Sequence, residues 1–113
     1  MTVPDAPSEY VPLTNIADGV ACNDAVAIGA MESLLERGIR VPEDVSVIGY
    51  DDIYMDAFLR VPLTTVHQAK FRMGQIAASG LLAALDGTEA PGGRQFLIKP
   101  RLVIRESCRE CRR

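Results

Sequence analysis

The chain has 113 residues, 48% hydrophobic and 24% charged, with a formal net charge of −3; this is the balance of one ordinary globular domain and excludes a wholly disordered chain. Its apolar runs are broken by Gly, Asp or Glu well short of the roughly 20 residues that cross a bilayer. No basic segment followed by an apolar core opens the sequence, so no export signal is read and a cytoplasmic location is expected.

In chain order, residues 1–13, with Pro4, Pro7 and Pro12, lack periodicity and read as a disordered lead-in. Residues 16–22 form a candidate strand, which Asp18 and Gly19 can confine to 19–22. Asp24 is placed to cap a helix over 25–37, and Gly38 supplies the left-handed residue that closes it. That helix is apolar on nearly every side and needs cover on two. Ala27, Ala30 and Leu34 suit a sheet, while Ile28, Met31 and Leu35 would meet either a second subunit or another element of the same chain. Val45, Val47 and Ile48 suit a strand covered on both faces, running to Gly49. A short helix is expected from Asp52 to Leu59, then an extended course over 61–66. Residues 69–86 carry Met73, Ile76, Ala77, Gly80, Leu81 and Ala84 at helical spacing. Two β-prone runs follow, 96–98 and 102–104, separated by Pro100, and 108–113 is a basic tail. The last twenty residues carry seven Lys/Arg against Glu106 and Glu110, leaving −8 on residues 1–93. An acidic body argues against a nucleic-acid groove on the folded part. The order β-α-β-α-β-α-β-β predicts an α/β architecture whose parallel sheet is too short to be more than a partial doubly wound one.

Ligands of open α/β sheets sit at the C-terminal ends of the strands. Asn23 follows one predicted strand and Asp51 the next, so a parallel sheet delivers an amide and a carboxylate to one edge, donors and acceptors suited to the vicinal hydroxyls of a sugar or nucleoside. The competing reading makes both residues plain helix caps. No catalytic set accompanies them. Ser33, Ser46, Ser79 and Ser107 lack a glycine-flanked elbow, His67 has no nucleophile partner in sequence, and Gly92-Gly93 lacks the Lys-Ser/Thr of a phosphate loop. Cys22 is expected as a small core residue. Cys108 and Cys111 have metal-ligand spacing, but no second pair exists and His67 is the sole histidine, whereas a structural zinc site uses four ligands. Neither a metal, a cofactor nor an enzymatic activity is expected.

Four strings in order, Asn23-Asp-Ala-Val-Ala-Ile-Gly-Ala-Met, Gly38-Ile-Arg-Val-Pro-Glu-Asp-Val-Ser-Val-Ile-Gly-Tyr-Asp-Asp, Pro62-Leu-Thr-Thr-Val-His-Gln and Arg101-Leu-Val-Ile-Arg-Glu-Ser, resemble the C-terminal part of the LacI/GalR family of transcriptional repressors. The resemblance runs over 14–107 and leaves the tail outside. It implies a type I periplasmic-binding-protein-like sensor domain, two α/β lobes closing on a small effector, usually a sugar or nucleobase. It also implies effector contacts at Asn23 and Asp51, a hinge and ligand-facing role for Gln68 at an interlobe crossover, and a homodimer interface through Ile28, Met31, Met55 and Leu59. Operator DNA would be read only through an N-terminal helix-turn-helix, which this sequence lacks, making the chain a truncated or partial regulator. Two alternatives are a stand-alone dimerisation module pairing with full-length repressors and a fragment of a periplasmic sugar-binding protein.

Overall fold

The computed structural model describes residues 18–88 and 93–110; the lead-in expected over 1–13 lies outside them. The elements are β1 (Asp18–Val20), α1 (Asp24–Glu36), β2 (Ser46–Ile48), a 3₁₀ turn (Tyr54–Ala57), β3 (Thr65–His67), α2 (Lys70–Leu85) and β4 (Arg101–Val103). β1 runs parallel to β2, pairing Gly19 with Val47. Parallel bridges, Ile48 to Thr64 and Asp51 to His67, join β2 to β3, and β4 closes the row antiparallel to β3, with Val66 opposite Leu102. The strands thus form two two-stranded sheets, one parallel and one antiparallel, linked by those bridges, and the fold is α/β as expected although part of the element order read from the sequence changes.

α1 forms because Asn23, in extended conformation, caps it: Asn23 Oδ1 accepts from the Val26 N–H at 2.9 Å. Its other end closes at Gly38, where φ is +77°, and the N–H groups of Gly38 and Ile39 donate to Leu35 and Leu34 carbonyls. α1 lies on β2, and the core beneath it is Ala27, Met31, Val41, Val47 and Leu63, with Ile28, Leu34, Val45 and Leu59 packed around it. This settles part of the ambiguity about its apolar faces. Met31, expected at a dimer interface, is 2% exposed and is filled around by this chain's own core, so it is unavailable to a partner.

Ser107 closes the core from the C-terminal side. Fully buried, its hydroxyl donates to the Val47 carbonyl at 2.5 Å and accepts from the Thr64 N–H at 2.8 Å, while its own carbonyl accepts from the Val47 N–H at 2.9 Å. Cys108 and Arg109, read as the start of the tail, also reach β2: Cys108 Sγ lies 3.2 Å from the Val47 carbonyl and the Arg109 N–H donates to Ser46 Oγ.

Three sequence expectations change. Residues 96–98 are not a strand; no described strand lies beside them, and a single extended run has no ladder to join. The helix expected from Asp52 to Leu59 shrinks to a 3₁₀ turn, closed by the Phe58 N–H donating to the Met55 carbonyl. Cys22, expected in the core, is exposed, because β1 stops at Val20 and Cys22 falls in the bend before the α1 cap.

α2 has the expected stripe, yet none of its residues is buried; Phe71, Leu81 and Leu85 are exposed. The chain leaves the sheet after β3 and rejoins it at β4, and α2 lies on that excursion, away from the core that α1 covers.

Gly49 marks the closest approach of α1 to the sheet. A Cβ there would overlap the Asp24 carboxylate and sit 3.0 Å from Leu63 Cδ2. Gly49→Ala is expected to destabilise the chain by about 1–3 kcal/mol, read as a lower urea midpoint.

Candidate functional site

The rim at the C-terminal ends of β1 and β2 is built by the backbone. The Ala21 N–H donates to the Ile48 carbonyl at 2.9 Å and the Asp24 N–H to the Tyr50 carbonyl at 3.0 Å, so residues 23–24 and 50–51 run side by side. Asn23 and Asp51 therefore emerge on one edge, as the parallel arrangement predicts. Asn23 serves as a cap all the same, through Oδ1, and its Nδ2 amide makes no hydrogen bond among the described residues.

Asp24, expected to be the cap, does something else. It is completely buried, and its carboxylate accepts from Thr65 Oγ1 at 2.6 Å and from the Ile53 N–H at 3.1 Å. Burial pushes its pKa up, but these donors, together with Asp56 and the Asp52 N–H, hold it below the ordinary carboxylate value.

Asp51 and Asp52 both have left-handed backbones, with φ of +130° and +58°. Such positions cost non-glycine residues on the order of 1–3 kcal/mol each and persist only where the surroundings impose them. Here the constraints are visible. The Asp51 N–H donates to the Val66 carbonyl at 3.0 Å, Gln68 Nε2 donates to Asp51 Oδ1 at 2.7 Å, and the Lys70 ammonium donates to the carbonyls of Asp51 and Asp52. Asp52, mostly buried, receives Arg105 Nη2 at 2.7 Å and His67 Nδ1 at 2.8 Å. Burial raises the Asp52 pKa, and the Arg105 and His67 contacts overcome it, leaving the carboxyl below its ordinary value.

Gln68 connects this strained turn to a cavity of about 300 Å³, whose walls include Tyr50, Gln68, Met73, Phe96, Ile98 and Lys99. Aromatic faces with an amide and an ammonium can hold a small polar ring. Of the three expected effector residues only Gln68 lines the cavity; Asp51 meets it through the Gln68 hydrogen bond, and Asn23 stays on the adjacent rim. Arg105, His67 and Lys70 were given no role by the sequence reading. Arg105 and His67 lie inside the recognisable strings, but which carboxylate they meet is a matter of tertiary distance. Among the described residues, no cluster of three or more His, Cys, Asp or Glu is arranged for a metal.

Residues 12–108 match the model of the periplasmic binding protein-like domain. The chain belongs to that family. Within it, the HTH-type transcriptional repressor PurR of Haemophilus influenzae is 47% identical over 89 residues, covering 76% of this chain and 26% of the repressor. PurR of Pasteurella multocida is 45% identical over 87 residues, covering 76% and 25%. Among solved structures, a LacI family regulator from Enterococcus faecium with bound ribose superposes with a TM-score of 0.74 at 35% identity, covering 81% of this chain and 34% of the other. One from Arthrobacter with lactose gives 0.73 at 36% identity, covering 82% and 35%. The chain is thus homologous to LacI-family transcriptional regulators, which are not enzymes, and spans about a quarter of the length of its curated relatives. No helix among the described residues is long and apolar enough to cross a membrane.

In this periplasmic-binding-protein-like domain, Arg105 is the bolt of the rim, since Nη1 also donates to the Leu63 carbonyl at 2.9 Å. Arg105→Ala leaves Asp52 with half its partners and is expected to cost about 3 kcal/mol. Arg105→Lys recovers only part, because an ammonium lacks the fork that spans both acceptors. The Asp52 contribution is present above the ordinary carboxylate pKa and fades as pH falls through the lowered folded value. Urea unfolding of parent and variants at pH 7 and in acid checks this: the gap between parent and Arg105→Ala narrows in acid.

Proposed function

We propose that this chain is part of the sensor of a LacI/GalR-type transcriptional repressor, binding a small polyhydroxylated effector, most simply a sugar, beside the Asn23–Asp51 rim. The observation that carries the reading is the union of an amide and a carboxylate on one strand edge with Gln68, which bonds Asp51 where the chain departs toward α2. The strained Asp51–Asp52 turn presents its carboxylate already oriented, which lowers the ordering cost of binding. Gln68 and Lys70 stand at the departure point, so a hinge there moves the groups that hold the turn. The ribose and lactose in related regulators support a sugar over other small ligands.

The sensor works as a homodimer in this reading, through the outer side of α1 and the 3₁₀ turn. Met55 is 59% exposed, and Tyr54 and Phe58, exposed beside it, have ring centroids 5.0 Å apart. Ile28 and Leu59, half-buried against the core, belong to the same proposed interface. Operator DNA is bound by a helix-turn-helix in another part of the regulator, and the regulator acts in the cytoplasm.

Two outcomes are expected of the regulator completed with its upstream sensor segment. Asp51→Ala weakens effector binding by about 10- to 100-fold in calorimetry, the loss of a hydrogen-bonded charge; unchanged affinity removes Asp51 from the site. Met55→Arg shifts the sedimentation profile from dimer toward monomer at tens of micromolar, and an unaltered profile moves the interface elsewhere.

A further inference from the structure

Behind the rim lies a second acid that the effector-binding reading does not use. Asp56, in the 3₁₀ turn, is completely buried like Asp24. The Ile53 N–H donates to both carboxyl groups, 3.1 Å to Asp24 Oδ2 and 3.0 Å to Asp56 Oδ2, so the two oxygens crowd one hydrogen. Asp56 Oδ1 is buried with no hydrogen-bond partner.

The charged groups facing this pair come from every neighbouring element. Asp24 belongs to α1, Asp52 to the turn after β2, His67 to β3, and Arg105 follows β4. Arg105 is the one permanent cation among them. It lies 3.9 Å from Asp56 but spends its shorter contact, 2.7 Å, on Asp52, to which His67 is also bonded. Two carboxyl groups, those of Asp52 and Asp56, thus share one guanidinium, while Asp24 and Asp56 crowd the single Ile53 N–H, and two like charges this close in a buried site do not both ionise. Asp24 has the better donors for a charge, Thr65 Oγ1 and two backbone N–H groups, whereas Asp56 has a bare buried oxygen.

We propose that Asp24 and Asp56 hold a single proton between them, resident on Asp56, and that this proton keeps the Asp51–Asp52 turn in its binding geometry. Ile53 is the link, because it directly follows Asp52 and donates to both acids. Release of the proton places two charges on that one N–H and drives the 3₁₀ turn away from α1, which disorders the rim. Effector affinity then falls as pH rises through neutrality, a consequence that rests on the effector-binding reading above; the proton sharing does not.

Burial and the neighbouring Asp24 push the Asp56 pKa up to about 7. The native chain therefore keeps a proton that the unfolded chain has already released, and stability falls with pH between the ordinary carboxylate range and neutrality.

The test uses the chain itself with ¹³Cγ-labelled aspartate, titrated from pH 4 to 9 by NMR in a His67→Gln background, because the Asp52 carboxyl bonded to His67 responds to that ring. One aspartate with its midpoint near neutrality is expected, absent in Asp56→Asn. A titration in which every aspartate has its midpoint in the ordinary carboxylate range overturns the proposal, as does a near-neutral midpoint that survives in Asp56→Asn. Alongside it, the urea midpoint of the parent falls from pH 5 to pH 8 and that of Asp56→Asn does not; parallel profiles also overturn it. Neither readout contains effector, so a failure of the sensor reading leaves both results standing.

Discussion

The buried carboxylate of Asp24 is the joint on which the described structure turns. Its two acceptors tie the first turn of α1 to β3 through Thr65 and to the 3₁₀ turn through Ile53. A buried charge is tolerated only when donors surround it, so the three elements are held at one relative position or the charge is left uncompensated. Gly49 follows from the same constraint: only a residue without a side chain leaves room for that carboxylate against β2. Tight packing of α1 on the sheet and the placement of the rim are then a single requirement.

The rim shows how such a joint is used. Two consecutive aspartates adopt backbones that cost free energy, and the compensation comes from side chains delivered by β3, by the start of α2 and by the segment after β4. The groups that fix the Asp51–Asp52 turn thus sit on elements far apart in sequence, Gln68 and Lys70 on Asp51 and His67 and Arg105 on Asp52. Gln68 and Lys70 stand where the chain leaves the sheet, so the start of α2 and the turn are joined directly by hydrogen bonds.

What could be read in advance was what depends on local pattern. The closing of α1 at Gly38, the buried strand around Val47 and the shared edge of Asn23 and Asp51 all follow from spacing and from the chirality of the backbone. The errors lie where tertiary distance decides. Asn23 and Asp24 are both good caps on paper, and only the position of Thr65, 41 residues away from Asp24, assigns one to the helix and the other to the interior. Met31 looks as available as Ile28 on a helix that is apolar all round; the place of Leu63 and Val41 buries one and leaves the other at the margin. The run at 96–98 has strand composition, but a strand is a property of two segments, and no described neighbour completes it. Arg105 was visible inside a recognisable string, and its bond to Asp52 crosses 53 positions, which no local pattern encodes.

Ser107 has a temporal meaning as well as a spatial one. It is the pin through which the β2 and β3 backbones are clamped, and it follows both of them in the chain. During synthesis β2 and β3 are made before it, with the Thr64 N–H and one acceptor position on Val47 still unclaimed. The clamp therefore cannot close until the 43 positions from Thr64 to Ser107 have been made, and until then those backbone groups must find their partners in water.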